Sequence, residues 1–220
     1  MKRRIITTGD GTHTVFLEDW NEYYHSKHGA IQESEHVFLQ NGLYLFSNQS
    51  ISVLEIGFGT GLNAFLTLLH APGKSLQIKY TGIEAYPVQN QELAALNYAR
   101  HVSAENASQL FKKIHEAPWE SFAEVTKDFQ LEKKQMFFQQ LQYQDEFNLI
   151  YFDAFGARVQ PELWTETIFK KMYEALKSKG VLVTYAAKGS VRRAMLSVGF
   201  SVEKLPGPPG KREMLRATKP

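Results

Sequence analysis

A doubly wound α/β domain with a mostly parallel sheet is the fold class this sequence predicts, and three stretches carry the prediction. The apolar run Ile51, Val53, Leu54, Ile56 ends in Gly57, Gly59 and Gly61, and apolar residues then recur at helical spacing through Leu62, Phe65, Leu66 and Leu69. Phe147 to Phe152 (FNLIYF) is continuously apolar, as a strand buried on both faces of a parallel sheet must be. The closing segment FSVEKLPGPPGKREMLRATK holds two β-like runs joined by Pro206 to Gly210, an antiparallel hairpin at the end of the sheet.

In chain order, residues 4 to 18 read as two short strands around Gly9-Asp10-Gly11, a small N-terminal β-extension. The aromatic and polar stretch from Trp20 to Gly42 reads as a loop followed by a helix through His36-Val37-Phe38-Leu39 that closes over a site. Residues 1–45 are therefore expected to form the extension and closing segment, and 46–220 the main domain. His25 and His28 stand three apart, but no carboxylate or further histidine at a ligand spacing completes a metal site, so no metal is expected.

The glycine turn is the first candidate site. Its glycines permit close backbone approach to a ligand, and the amides at the start of the following helix favour a polar group. The spacing is G-x-G-x-G, not the G-x-G-x-x-G of dinucleotide binders, and Glu55 precedes the first glycine by two residues. A carboxylate there suits an amino-bearing ligand better than a pyrophosphate, which points to S-adenosylmethionine; a structural turn without cofactor is the competing reading. Leu76 to Ile83 is the next strand and ends on Glu84, placed to accept hydrogen bonds from both ribose hydroxyls.

Pro87 to Tyr98 and residues 103 to 130 read as helix, the latter broken at Pro118-Trp119, and Met136 to Leu141 as a strand beside the adenine position. The buried strand 147–152 delivers Asp153, with Phe155, Arg158 and Trp164 behind it. A carboxylate at the end of a central strand can hold and deprotonate an amine, or it can simply cap a turn. Pro161 to Leu176 has the period of an amphipathic helix, with Gly180 as its C-cap, and Val181 to Ala187 is a further strand. A helix from Ser190 to Gly199 carries Arg192 and Arg193.

At 220 residues, 43% hydrophobic and 22% charged, the chain is expected to be one globular domain with small additions. It contains no cysteine, which removes thiolate catalysis and cysteine metal sites. The N-terminal stretch lacks the apolar core of a signal peptide and no run approaches a membrane span, so cytoplasm is the expected location. A net charge of +2 does not itself indicate nucleic acid, but Lys188, Arg192, Arg193, Lys204, Lys211, Arg212, Arg216 and Lys219 gather in the last third.

Taken together, YYHSKHGAIQESEHVF, LEIGFGTGLNAFLTL, IEAYP, YFDAFGARVQPELW, GVLVTYAAKGSVRRAM and GFSVEKLPGPPGKREMLRA resemble the methyltransferase part of the bifunctional bacterial tRNA 5-methylaminomethyl-2-thiouridine biosynthesis proteins, over most of residues 20 to 218. The resemblance implies a Rossmann-like S-adenosylmethionine-dependent methyltransferase fold that N-methylates a 5-aminomethyl group on the wobble uridine of tRNA. It implies that Glu55, Gly57, Phe58, Gly59, Thr60 and Gly61 hold the methionine end of the cofactor, Glu84 the ribose, and either Gln139 or Gln140 the adenine, where an amide replaces the family's acid. Asp153 would act on the substrate amine, under a closing loop containing Tyr24 and Glu33. Phe155 and Trp164 would stack on the extruded base or, as aromatics equally do, pack in the core, and Arg158, Arg192, Arg193, Lys211 and Arg212 would face the RNA. The flavin oxidoreductase part of the bifunctional members has no counterpart in the sequence. A separate oxidoreductase or upstream tRNA-modifying enzyme is thus an expected partner. A protein or small-molecule methyltransferase, or a non-catalytic RNA-binding module, remains the alternative.

Overall fold

The computed structural model describes residues 2–220, so the first residue of the expected 1–45 segment lies outside the description. Three antiparallel strands open the chain: β1 (Arg3–Thr7), β2 (His13–Leu17) and the short β3 (Glu22–Tyr23). A short helix α1 (Ala30–Ser34) continues directly into a π-helical turn, Glu35–Gln40, that buries Val37, Phe38 and Leu39. These side chains join the main hydrophobic core, so residues 30–45 pack as part of the body that follows.

Eight strands form that body's sheet: β4 (Gln49–Ile56), β5 (Leu76–Ile83), β6 (Phe122–Thr126), β7 (Phe129–Lys134), β8 (Phe147–Phe152), β9 (Leu176–Thr184), β10 (Ser201–Pro206) and β11 (Glu213–Thr218). Their spatial order is β10-β11-β9-β8-β4-β5-β7-β6, parallel from β9 to β7. β11 inserts antiparallel between β9 and β10, as the terminal hairpin predicts. Helices α2 (Leu62–His70), α3 (Asn90–Ala94), α4 (Ala107–Glu116), α5 (Glu166–Ala175) and α6 (Gly189–Ser197) make the connections. Successive strands run outward from β4 to β5, and the chain then returns to place β8 on the other side of β4. Strand order therefore reverses between β4 and β8, where ligands bind in sheets of this kind.

Several expected elements differ. Residues 103 to 130 are helical only over α4; Phe122–Thr126 and Phe129–Lys134 form an antiparallel hairpin at the sheet edge. Met136 to Leu141 is no strand but a 3₁₀ turn over Phe138–Gln140, because β7 already occupies the edge of β5 that it would have needed. Pro87 to Tyr98 is helical only over α3 and a 3₁₀ turn begins at Tyr98. A 3₁₀ turn, Pro161–Trp164, precedes α5, which ends as Leu176 turns extended. Gly180 therefore lies inside β9, not at a helix cap, and the left-handed residue there is Lys179.

Candidate active site

The carboxyl ends of β4, β5 and β8 meet at one cavity of about 1210 Å³. The glycine turn forms its floor. Gly57 has φ +90°, and a Cβ there would sit 2.6 Å from the backbone oxygen of Asp153, so glycine is what lets β4 and β8 close on each other. The amides of Gly57 and Phe58 donate to the oxygen of Ile83 at 3.0 and 2.9 Å, tying the turn to the end of β5. Glu84 completes that tie. Its carboxylate accepts from the amides of Gly59 and Tyr86, both at 2.9 Å, and burial holds its pKa above the ordinary value against those bonds.

Asp153 lies just beyond β8, with its own amide bonded to the oxygen of Ile56 at 2.9 Å. Its Oδ2 accepts 2.8 Å from the side-chain nitrogen of Asn63, which donates 2.8 Å to Glu55 Oε1 as well. Asn63 is itself oriented by the Ser34 hydroxyl, which donates to its oxygen. Burial and then the charge of Glu33 raise the Asp153 carboxyl to about 7, while the Asn63 bond and Lys211 act the other way. Among the described residues none donates a hydrogen bond to Oδ1 of Asp153, which is left to the cavity that the residue lines.

The N-terminal segment and the terminal hairpin roof this space. Tyr24 and Trp20 meet the Phe155 ring edge-on at centroid distances of 5.0 and 5.6 Å. Glu33 receives Lys211 from the hairpin turn, and Lys211 also lies 3.8 Å from the centroid of the Tyr185 ring. Tyr24, Glu33, Gly57, Phe58, Gly59, Glu84, Asp153 and Phe155 all line the cavity.

Other expected site residues fall elsewhere. Glu55 is fully buried behind the turn, with Tyr80 donating 2.8 Å to its second oxygen; it braces Asn63 and does not reach the cavity. Burial and the charge of Asp153 push its pKa up. Thr60 is buried and receives the Tyr98 hydroxyl, and Gly61 caps α2 with the His115 ring against it, so neither lines the cavity. Gln140 bonds back to the amide of Phe137 at 2.9 Å, and it is Gln139 that faces the cavity. Trp164 is 5% exposed in the core and donates 2.8 Å to the oxygen of Phe155; it supports Phe155 from behind and has no face free for a base. Arg158 is engaged by the oxygens of Trp20 and Asn21 and by Glu22. Arg192 lies on α6 with a buried, unbonded Nε, while Arg193 and Arg212 are exposed outside the cavity. Lys211 points inward and is committed to Glu33, not to an external phosphate. His25 bonds to Thr14, and among the described residues no group of three His, Cys, Asp or Glu side chains is placed to hold a metal.

Asn63, Tyr80 and Tyr185 are the functional neighbours that sequence patterning missed. Asn63 alone left a trace: it is an amide in the second position of an otherwise apolar helix start.

The donor set fits S-adenosylmethionine. The backbone of Gly57, Phe58 and Gly59 lining the cavity, the amides of Leu62 and Asn63 opening a nine-residue helix, and an acid following β5 match a ligand with a polar amino-acid end and a ribose. The volume exceeds the roughly 300–1,000 Å³ of a single-ligand pocket, leaving space for a second reactant. A reversed terminal hairpin on a parallel sheet with this site defines the class of S-adenosylmethionine-dependent methyltransferases. Residues 101–220 match the family described as S-adenosyl-L-methionine-dependent methyltransferase, and the chain belongs to that family. S-adenosylmethionine is its cofactor.

The chain is similar to the tRNA 5-methylaminomethyl-2-thiouridine biosynthesis bifunctional protein MnmC of Ralstonia nicotianae, at 29% identity over 94% of this chain and 33% of that protein. To the MnmC of Idiomarina loihiensis it is 30% identical over 89% of this chain and 35% of that one. It thus spans about a third of the length of these relatives. Its fold matches the crystal structure of MNMC2 from Aquifex aeolicus with TM-score 0.80 at 24% identity, covering 98% of this chain and 70% of that one. Spermidine synthase from Thermotoga maritima shares the fold at TM-score 0.58 and 18% identity, over 100% of this chain and 75% of that one. No helix among the described residues is long and apolar enough to cross a membrane.

Proposed function

We propose that the chain methylates the nitrogen of a 5-aminomethyl group on the wobble uridine of tRNA. The observation that carries the reading is Asp153, a carboxylate with one oxygen fixed by Asn63, the other turned to the cavity, and a pKa near 7. The relatives' name, tRNA 5-methylaminomethyl-2-thiouridine biosynthesis bifunctional protein, supports the same substrate.

Bound S-adenosylmethionine supplies an electrophilic methyl group on a sulfonium sulfur. The protein's part is to present a nucleophile. An alkylammonium, with a pKa of roughly 10 like that of lysine, carries no free lone pair at pH 7. Oδ1 of ionised Asp153 holds that ammonium by a charge-assisted hydrogen bond and takes one N–H proton, leaving the amine neutral. Asn63 keeps the carboxylate from rotating away. Tyr24 and Phe155 offer aromatic walls for a base turned out of its stack, as chemistry on a nucleobase substituent requires. Glu84 and the turn at Gly57, Phe58 and Gly59 hold the cofactor's ribose and amino-acid end, and Gln139 replaces Gln140 as the candidate adenine contact.

On this reading the segment that roofs the cavity contributes Tyr24 and Glu33 to the methyltransferase body, into whose core residues 30–45 pack. Exposed Arg193 and Arg212 contact the tRNA backbone. The aminomethyl group must be made before this step, by an oxidoreductase or another upstream modifying activity, and the reaction is cytoplasmic, where tRNA is modified. Incubation with labelled S-adenosylmethionine and tRNAs with or without the aminomethyl group tests the reading: label enters only the former, and label in neither sinks it.

A further inference from the structure

Lys211 is the one residue of the cavity whose placement runs against its expected task. It sits on the turn joining β10 to β11, where its amide bonds to the oxygen of Pro208 at 2.9 Å, and its ammonium turns inward. There it meets Glu33, whose side chain is 12% exposed, and the π-face of Tyr185, and it acts electrostatically on Asp153. Glu33 and the Tyr185 face meet this ammonium directly and Asp153 lines the same cavity, so carboxylate and aromatic groups from which cation sites are built converge there.

Each wall is held by something other than the lysine. The second oxygen of Glu33 accepts 2.8 Å from the amide of Ser26. The Tyr185 hydroxyl donates 2.8 Å to the oxygen of Ala154, which pins its ring. Asp153 is fixed by Asn63. The filling group, by contrast, is the end of a flexible four-carbon side chain on a turn, and it can leave without dismantling the walls.

We propose that Glu33, Asp153 and the face of Tyr185 form a recognition site for a substrate ammonium, which Lys211 occupies in the free protein and must vacate when substrate binds. The inference rests on the amine-methylating reading and adds the device that selects the amine. Lys211 is then a specificity-determining residue. By satisfying Glu33 until a competing primary ammonium arrives, it disfavours neutral hydroxymethyl or unmodified uridine, neither of which gives Glu33 a new counter-ion.

The test is the sign of a binding change. Titration calorimetry of 5-aminomethyluridine, 5-hydroxymethyluridine and benzylamine is run on the wild type, Lys211→Met, Lys211→Arg and the double variant Lys211→Met/Glu33→Gln. Lys211→Met binds both amines about tenfold more tightly, the combined worth of the partly exposed ion pair and cation–π contact it no longer has to break. Its affinity for the hydroxymethyl compound is unchanged, Lys211→Arg stays near wild type, and adding Glu33→Gln removes the gain. Melting curves show that each variant is folded, and Lys211→Arg separates loss of charge from loss of packing. Unchanged or weaker amine binding by Lys211→Met, or no amine binding by any variant, overturns the proposal. A gain for benzylamine without any binding of the nucleoside keeps the ammonium site and removes the uridine substrate instead.

Discussion

One side-chain nitrogen of Asn63 bonds at 2.8 Å to Asp153 and at 2.8 Å to Glu55, so a single amide ties the cavity carboxylate to the buried one behind it. That bond favours the ionised form of Asp153 and opposes the burial that raises its pKa. Asn63→Ala removes it. The Asp153 pKa then rises above about 7, and the alkaline-going limb of the pH–rate profile moves up with it. Leaving Glu55 short of a donor costs about 1–3 kcal/mol, read as a lower melting temperature. An unshifted limb contradicts the role given to Asn63.

Asp153 also marks stability. Its folded pKa, about 7, lies above the ordinary 3.8, so between those values the folded chain holds a proton that the unfolded chain has lost. Its contribution is full below about pH 4 and falls as pH rises to 7, by up to about 1.4 kcal/mol per pH unit. Asp153→Asn does not titrate. The variant therefore gains stability relative to wild type across that window, measurable by denaturant unfolding at pH 5 and pH 8.

His25 and His115 oppose this trend, since burial lowers each to about 4 from 6.5. A neutral imidazole must be charged as pH falls through that range, so their contribution is present above pH 6.5 and lost towards pH 4. His25→Gln reduces the acid sensitivity of hydrogen exchange in β2 and the segment that follows it, where His25 bonds to Thr14.

Gly57 and Gly73 make a paired comparison. Ala at 57 combines φ +90° with a 2.6 Å clash against the Asp153 backbone, and costs about 2–3 kcal/mol together with cofactor binding. Ala at Gly73 meets nothing within 4 Å and changes stability by less than about 1 kcal/mol. Thermal melts with and without S-adenosylhomocysteine distinguish them.

Glu84→Ala releases the amide of Gly59 and removes the acid facing the cavity. S-adenosylhomocysteine affinity falls about 10- to 100-fold, the worth of one or two bonds to a charged acceptor. An unchanged dissociation constant argues against the ribose role.

Much of this arrangement could be read from local pattern. Strand ends with a following acid, at Ile83-Glu84 and Phe152-Asp153, needed only apolar runs of the right length and a glycine turn at the expected distance. Glu55 was misplaced because alternation along β4 decides its direction: Leu54 and Ile56 face one core layer, whereas Val53 and Glu55 face the other, where Asn63 and Tyr80 wait. The hairpin of β6 and β7 hid because its turn lacks glycine and its charged residues suit a helix equally well; only the buried alternation of Phe129 and Leu131 distinguishes it. Lys211 and Trp164 show a further limit. Charge and aromaticity name a residue's capacity, but tertiary packing decides whether it faces solvent, core or cavity.

Single-turnover methyl transfer to a tRNA bearing 5-aminomethyluridine, followed from pH 5.5 to 9 for wild type and Asp153→Asn, tests the central claim that Asp153 takes the amine's proton. The wild-type rate rises with an apparent pKa near 7, whereas the variant lacks this limb and is slower by about 10²–10⁴ at pH 8, with cofactor affinity retained. An Asp153→Asn enzyme with the wild-type rate and the same limb would contradict it.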